Sequence, residues 1–91
     1  MNKTDLAERL AKKHDISVAT ATIYVNSIFE EITSALTNEL AARFNGFGAF
    51  EVSYRNAREG RNPKTQEPLT IPAHNAVTFT PSDALKKAVN P

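Results

Sequence analysis

Gly46-Phe47-Gly48-Ala49-Phe50 begins the stretch that decides the fold, and Glu51-Val52-Ser53-Tyr54-Arg55, Arg58-Glu59-Gly60-Arg61-Asn62-Pro63-Lys64-Thr65 and Leu69-Thr70-Ile71-Pro72-Ala73 continue it. A glycine-aromatic turn leads into an alternating strand, with Phe50, Val52 and Tyr54 on one face and Glu51, Ser53 and Arg55 on the other. Beyond that strand the chain offers Arg55, Arg58, Arg61 and Lys64 but hardly a large apolar side chain. A polar, cationic, two-stranded ribbon has little to bury and is marginal alone in water. It is expected to project from a core and to order on a polyanion, for which nucleic acid is the obvious candidate.

The residues around the ribbon must supply that core. The first third reads as helical, with Thr4 as the expected cap, Asp5 and Glu8 in the first turn, and Lys12, Lys13 and His14 at the far end. Leu6 and Leu10, flanked by Ala7 and Ala11, form a short apolar stripe before Asp15-Ile16-Ser17 breaks the helix. Ser17 is placed to cap a longer helix in which Ala21, Val25, Ile28, Ile32, Leu36 and Leu40 recur every three or four residues, with Phe29 widening the stripe. One short helix cannot cover so broad a face, and 91 residues are few for a monomeric core once a ribbon is set aside. A second subunit is therefore expected.

Toward the C-terminus, Val77 and Phe79 alternate as a strand, and Thr80-Pro81-Ser82-Asp83 reads as a helix start with Thr80 as cap. Ala84, Leu85, Ala88 and Val89 are the expected buried face of that last helix, leaving Lys86 and Lys87 outward. Phe44, Phe47, Phe50 and Phe79 have two readings, a platform for stacking bases or the core beneath the sheet. Strand alternation favours the core.

Charge is segregated although the net value is only +1. Residues 1–40 hold four basic against six acidic side chains, whereas residues 52–66 hold four basic against one acidic. The basic excess lies on the ribbon, the distribution expected of a polyanion-binding arm. Enzymatic readings fare poorly, because His14 and His74 are the only histidines and lack metal-like spacing or a neighbouring nucleophile. Both read as surface residues, at a helix end and in a loop, although His74 falls near the arm base, where a protonated ring could meet phosphate. Gly46 and Gly48 lack the third glycine of a nucleotide loop. The chain has no cysteine, so disulfides and thiolate zinc sites are excluded. With no apolar leader and no apolar run of bilayer length, a soluble intracellular protein is the expectation.

Gly46-Phe47-Gly48 with Phe50, Gly60-Arg61-Asn62-Pro63 with Thr65, Ile71-Pro72-Ala73, Phe79, and Ala84-Leu85-Lys86 with Val89 together resemble the HU and integration host factor family of bacterial DNA-bending proteins. The resemblance spans essentially the whole chain. It implies an α+β fold in an intertwined dimer: a helical dimerisation region at 1–42, a sheet body at 43–54 and 75–80, a protruding two-stranded β-ribbon arm at 55–74 and a short C-terminal helix at 81–91. It further implies a cytoplasmic, nucleoid-associated protein that binds double-stranded DNA mainly non-specifically through the minor groove, bends it and contributes to compaction. Bent, nicked or gapped duplexes are the preferred forms expected, and no cofactor, metal, membrane or small-molecule substrate is implied. A site-preferring bender and a dimeric protein-interaction module are the alternatives.

The DNA-contacting residues implied are Arg55, Arg58, Arg61, Asn62, Pro63 and Lys64 on the arm, with Lys86 and Lys3 on the body. Asn62-Pro63 is an ordinary turn pair on its own terms. By the resemblance, Pro63 sits at the arm tip and wedges between base pairs, its ring carrying no N–H that would go unmet there. The chain also departs from the family pattern, with Thr80 and Asp83 where relatives often carry lysines, Thr37-Asn38-Glu39 where a basic glycine turn is common, and Gln66 where glycine is common. A less cationic body is expected to hold DNA flanks weakly and to give a short footprint.

Overall fold

The computed structural model describes residues 1–91, in the order α1 (Lys3–His14), α2 (Val18–Asn38), β1 (Ala41–Phe44), β2 (Gly48–Arg55), β3 (Arg58–Arg61), β4 (Pro68–Ile71), β5 (His74–Pro81) and α3 (Asp83–Val89). They form two compact units, Met1–Asn38 and Glu39–Pro91. The α+β class with an antiparallel ribbon is as the sequence implies. No helix is long and apolar enough to cross a membrane.

In the first unit, α1 starts earlier than Thr4 would set it. Asn2 is the cap: its Oδ1 accepts from the Asp5 N–H at 2.8 Å, and the Asp5 carboxylate accepts from the Asn2 N–H at 3.2 Å. This reciprocal box satisfies two otherwise orphan donors, which Thr4, lying inside the helix, cannot do. Asp15 ends α1 in the left-handed region at φ 53°. Ser17 then caps α2 as expected, its Oγ accepting from the Thr20 N–H at 3.1 Å.

The two helices meet through small residues. Ala7, Ala11, Ala21 and Val25 are the only fully buried side chains of the unit, with Leu6 and Leu10 packed beside them. Alanines let the backbones approach but remove little apolar area from water. Beyond them the α2 stripe is incompletely covered, as its breadth implies: Ile28 is 55% and Phe29 40% exposed, and Ile23 and Tyr24 are exposed as well. Leu40 is not part of the helix, which stops at Asn38, and takes a left-handed backbone at φ 63°.

The second unit holds an antiparallel sheet of order β1-β2-β5 and a separate two-stranded ribbon, β3-β4. Gly46 makes the turn between β1 and β2 at φ 79°, closed by the Phe47 N–H donating to the Phe44 carbonyl at 3.1 Å. Gly48 has a different reason to be glycine than the turn freedom its neighbour needs. A Cβ there would lie 2.6 Å from the Phe79 ring and 2.7 Å from the Thr80 carbonyl oxygen, because β5 lies directly against it. The phenylalanines form a continuous cluster, with ring centroids 4.7 Å apart for Phe50 and Phe79, 5.6 Å for Phe47 and Phe79, and 6.4 Å for Phe44 and Phe50. Within one chain the cluster is half open, with Phe44, Phe47 and Phe79 all exposed.

The last helix also begins later than expected. Pro81 completes β5 opposite Gly48, and this ladder position carries the strand past Thr80. Ser82 is therefore the cap, its Oγ accepting from the Leu85 N–H at 3.0 Å. Leu85 is half-buried, but Ala84, Ala88 and Val89, expected inside, are exposed.

Candidate nucleic-acid interface

The ribbon is not one continuous hairpin. Body pairing ends at Arg55 opposite His74, and arm pairing resumes only at Arg58 opposite Ile71. Asn56-Ala57 on one side and Pro72-Ala73 on the other lie outside any strand. Pro72 has no N–H to donate to a ladder, which accounts for one side of this gap.

Beyond the gap, alternation assigns the cations to faces. Arg58, Ile71, Gly60 and Leu69 share one face of the ribbon, and Glu59, Thr70, Arg61 and Pro68 share the other. Arg58 and Arg61, three residues apart in one strand, therefore point to opposite sides. A ribbon with cations on both faces suits a groove with two walls better than a flat surface.

Backbone and side-chain hydrogen bonds together fix the tip. The Asn62 N–H donates to the Glu67 carbonyl at 2.9 Å, and the Gln66 N–H donates to the Asn62 carbonyl at 2.8 Å. Asn62 Oδ1 accepts from the Lys64 N–H at 2.9 Å, the side-chain mimic of a turn for which Asn is suited. Asn62 is partly buried, and this bond from its Oδ1 helps to shape the tip. Pro63 and Lys64 are exposed on the turn that Asn62 holds. Gln66 occupies the left-handed region at φ 61°, where an L-residue is strained and a glycine would not be.

None of the arm cations forms an ion pair within the chain. The one ion pair in the chain joins Arg43 Nη2 to Glu51 Oε1 at 3.0 Å, on the body sheet. Arg61 Nη1 lies 3.4 Å from the Gln66 carbonyl, a long contact that leaves most of the guanidinium donors open. Arg55, Arg58 and Lys64 are exposed without a carboxylate partner. Several positive charges held on a narrow ribbon repel one another, and an anionic ligand relieves that repulsion.

The two body candidates differ. Lys86 is exposed on α3, in the same unit as the arm. Lys3 belongs to the helical unit, where its ammonium lies 5.2 Å from the centroid of the Phe29 ring, a cation–π distance that restrains it. Asn56 is not among the residues the sequence singles out, and the sequence places His74 in a surface loop near the arm base, where a protonated ring could meet phosphate. His74 is not in a loop but opens β5, and with Arg55, Asn56, Arg58, Ile71 and Ala76 it lines a hollow at the arm base. The β2-β5 pairing of Arg55 with His74 and the β3-β4 pairing of Arg58 with Ile71 bring these residues together. No group of three or more His, Asp or Glu side chains is placed to hold a metal ion.

The family model described as bacterial DNA-binding protein matches residues 1–90. The chain is 46% identical over 90 residues to DNA-binding protein HU-1 of Halalkalibacterium halodurans, covering 99% of this chain and 100% of that one. It is 44% identical to DNA-binding protein HU 2 of Bacillus phage SPbeta, covering 98% and 97%. Among solved structures, an Anabaena HU–DNA cocrystal structure superposes with a TM-score of 0.88 at 35% identity, covering 100% of this chain and 99% of that chain. An HU mutant from Thermotoga maritima superposes with a TM-score of 0.69 at 29% identity, covering 98% and 99%.

Proposed function

The chain belongs to the HU family of bacterial DNA-binding proteins, and from that premise we propose that it is an architectural protein whose arm enters the minor groove of double-stranded DNA and bends it. The observation that carries this reading is a two-faced ribbon of unpaired cations ending in an exposed proline. Arg58 and Arg61, on opposite faces, meet the two walls of the groove, and Arg55 and Lys64 meet phosphates at its ends. These are backbone and shape contacts, so sequence preference is weak and affinity falls as salt rises. A cytoplasmic, nucleoid-associated location and a part in chromosome compaction follow from this partner.

Pro63 is the wedge of the mechanism. Its ring replaces a stacking partner between base pairs without burying an unmet donor, and the unstacking cost of about a few kcal/mol is offset by contacts that bent DNA makes along the arm and body. Lys86 lies on the flank and adds a phosphate contact there. Asp83, exposed in the first turn of the same helix, opposes it, and the footprint is correspondingly short.

The working unit is a homodimer. Ile23, Tyr24, Ile28 and Phe29 on α2, and Phe44, Phe47 and Phe79 on the sheet, leave more apolar surface open than a soluble monomer ordinarily shows. A second copy of the chain covers these surfaces and supplies a second arm, hence a second kink. Sedimentation at micromolar concentration is expected to find folded dimer only, with unfolding midpoints that rise with protein concentration. A folded monomer would remove the dimer from the mechanism.

The function itself is tested by anisotropy titration of matched intact and nicked duplexes across a salt series. Tighter binding to the nicked form is expected, because predistorted DNA has already met part of the deformation cost. Pro63→Ala should keep most of the salt-dependent affinity but lose that preference, together with the bend measured by energy transfer. No binding to either duplex at low salt rejects the reading and turns attention to protein partners of the arm.

A further inference from the structure

The hollow at the arm base, about 420 Å³ in volume, is lined by Arg55 from β2, Arg58 from β3, His74 from β5, and Asn56, Ile71 and Ala76. Its charged and titratable groups are the two guanidiniums and the imidazole, and no carboxylate lines it. His74 stands directly opposite Arg55 in the β2-β5 register and next to the gap that separates body from arm. Its ring is oriented by its own chain: Nδ1 lies 3.1 Å from the Pro72 carbonyl oxygen. A carbonyl oxygen only accepts, so this contact places the proton of the neutral ring on Nδ1 and leaves Nε2 bare. In that state Nε2 can only accept, and a phosphate oxygen has no proton to give it. Once the ring gains its second proton, Nε2–H becomes a charge-assisted donor beside two arginines.

We propose that this hollow is a proton-gated subsite for a DNA backbone phosphate, in which protonation of His74 Nε2 adds a third cationic donor to Arg55 and Arg58. The inference rests on the DNA-binding reading given above and deepens it, because it makes grip at the arm base depend on pH while Arg61, Lys64 and Pro63 at the tip keep theirs. A phosphate seated among these three groups attracts the second proton to Nε2, so DNA binding and protonation assist each other.

The test uses the full chain and one duplex at constant ionic strength, with the dissociation constant measured by anisotropy from about pH 8 to about pH 5.5, the interval in which imidazoles change charge. Wild-type affinity should rise several-fold toward the acid end, and the slope of log affinity against log salt should steepen by about 0.9 for each subsite occupied. His74→Gln should bind with nearly constant affinity across the interval, and His74→Lys should bind tightly throughout. His14→Gln, which alters the other imidazole at the end of α1, should retain the wild-type profile. Calorimetry in buffers of different ionisation enthalpy should record net proton uptake by wild type and none by His74→Gln. A pH profile that is flat in wild type, or that persists in His74→Gln, overturns the inference while leaving the DNA-binding function in place. Absence of wild-type binding at every pH and at low salt instead overturns the function on which it rests.

Discussion

Gly48→Ala is expected to lower the melting temperature sharply, and Gly48→Val to prevent stable folding. The added Cβ meets the Phe79 ring at 2.6 Å and the Thr80 carbonyl oxygen at 2.7 Å. The ring alone could rotate away, but the carbonyl belongs to the β5 backbone, which pairs with β2 at that level. Relief therefore requires the two central strands to separate where the aromatic cluster joins them. Overpacking of this kind costs about 1–3 kcal/mol, and in a domain of this size each 1 kcal/mol corresponds to roughly 4–8 °C. Gly46→Ala serves as the comparison, because nothing lies within 4 Å of its added Cβ and only its φ of 79° is unfavourable. Left-handed strain of about 1–2 kcal/mol is then the whole effect. Thermal melts of both variants check this, and a Gly48→Ala protein that melts with wild type would show that β5 does not depend on close approach at Gly48.

Removal of both Arg58 and Arg61 is expected to have the largest effect on DNA affinity. Because they occupy opposite faces of the ribbon, they share no phosphate, and the two effects should add. Each alanine should reduce the slope of log affinity against log salt by about 0.9 for every phosphate no longer neutralised, and the proposed dimer would carry each arginine twice. Binding should weaken on all sequences alike, since in the proposed complex these arginines meet groove walls and backbone rather than reading bases. The fold should be untouched, as both side chains are exposed and neither is ion-paired. Titrations of the single and double variants at several salt concentrations decide the matter. A double variant no weaker than either single one would mean that the two arginines act on one site.

What the sequence disclosed, and what it hid, follows from how local each feature is. The arm was legible because Arg55, Arg58, Arg61 and Lys64 sit in a stretch with almost no apolar residues, a contrast that needs no knowledge of register. The helices were legible from periodicity, but the caps of α1 and α3 were misplaced. At α1, Asn2 and Thr4 are both able caps, and only the reciprocal bonding with Asp5 selects Asn2. At α3, pairing of Pro81 with Gly48 extends β5 and moves the cap from Thr80 to Ser82, a contest decided on a strand far away in the chain. The same non-local pairing puts Arg55 beside His74, and the arm register puts Arg58 beside Ile71. Composition carries no trace of either.

The gap at Asn56-Ala57 and Pro72-Ala73 has a mechanical consequence. Across it, the arm is tied to the sheet by two lengths of covalent chain without ladder pairing. In the proposed complex, a force applied at Pro63 by a duplex trying to straighten would be taken up as torsion in those few backbone bonds before it reached the packed sheet. The sheet would then stay rigid under load while the arm adjusted its angle, so that one protein would fit DNA curved to different degrees without repacking its interior.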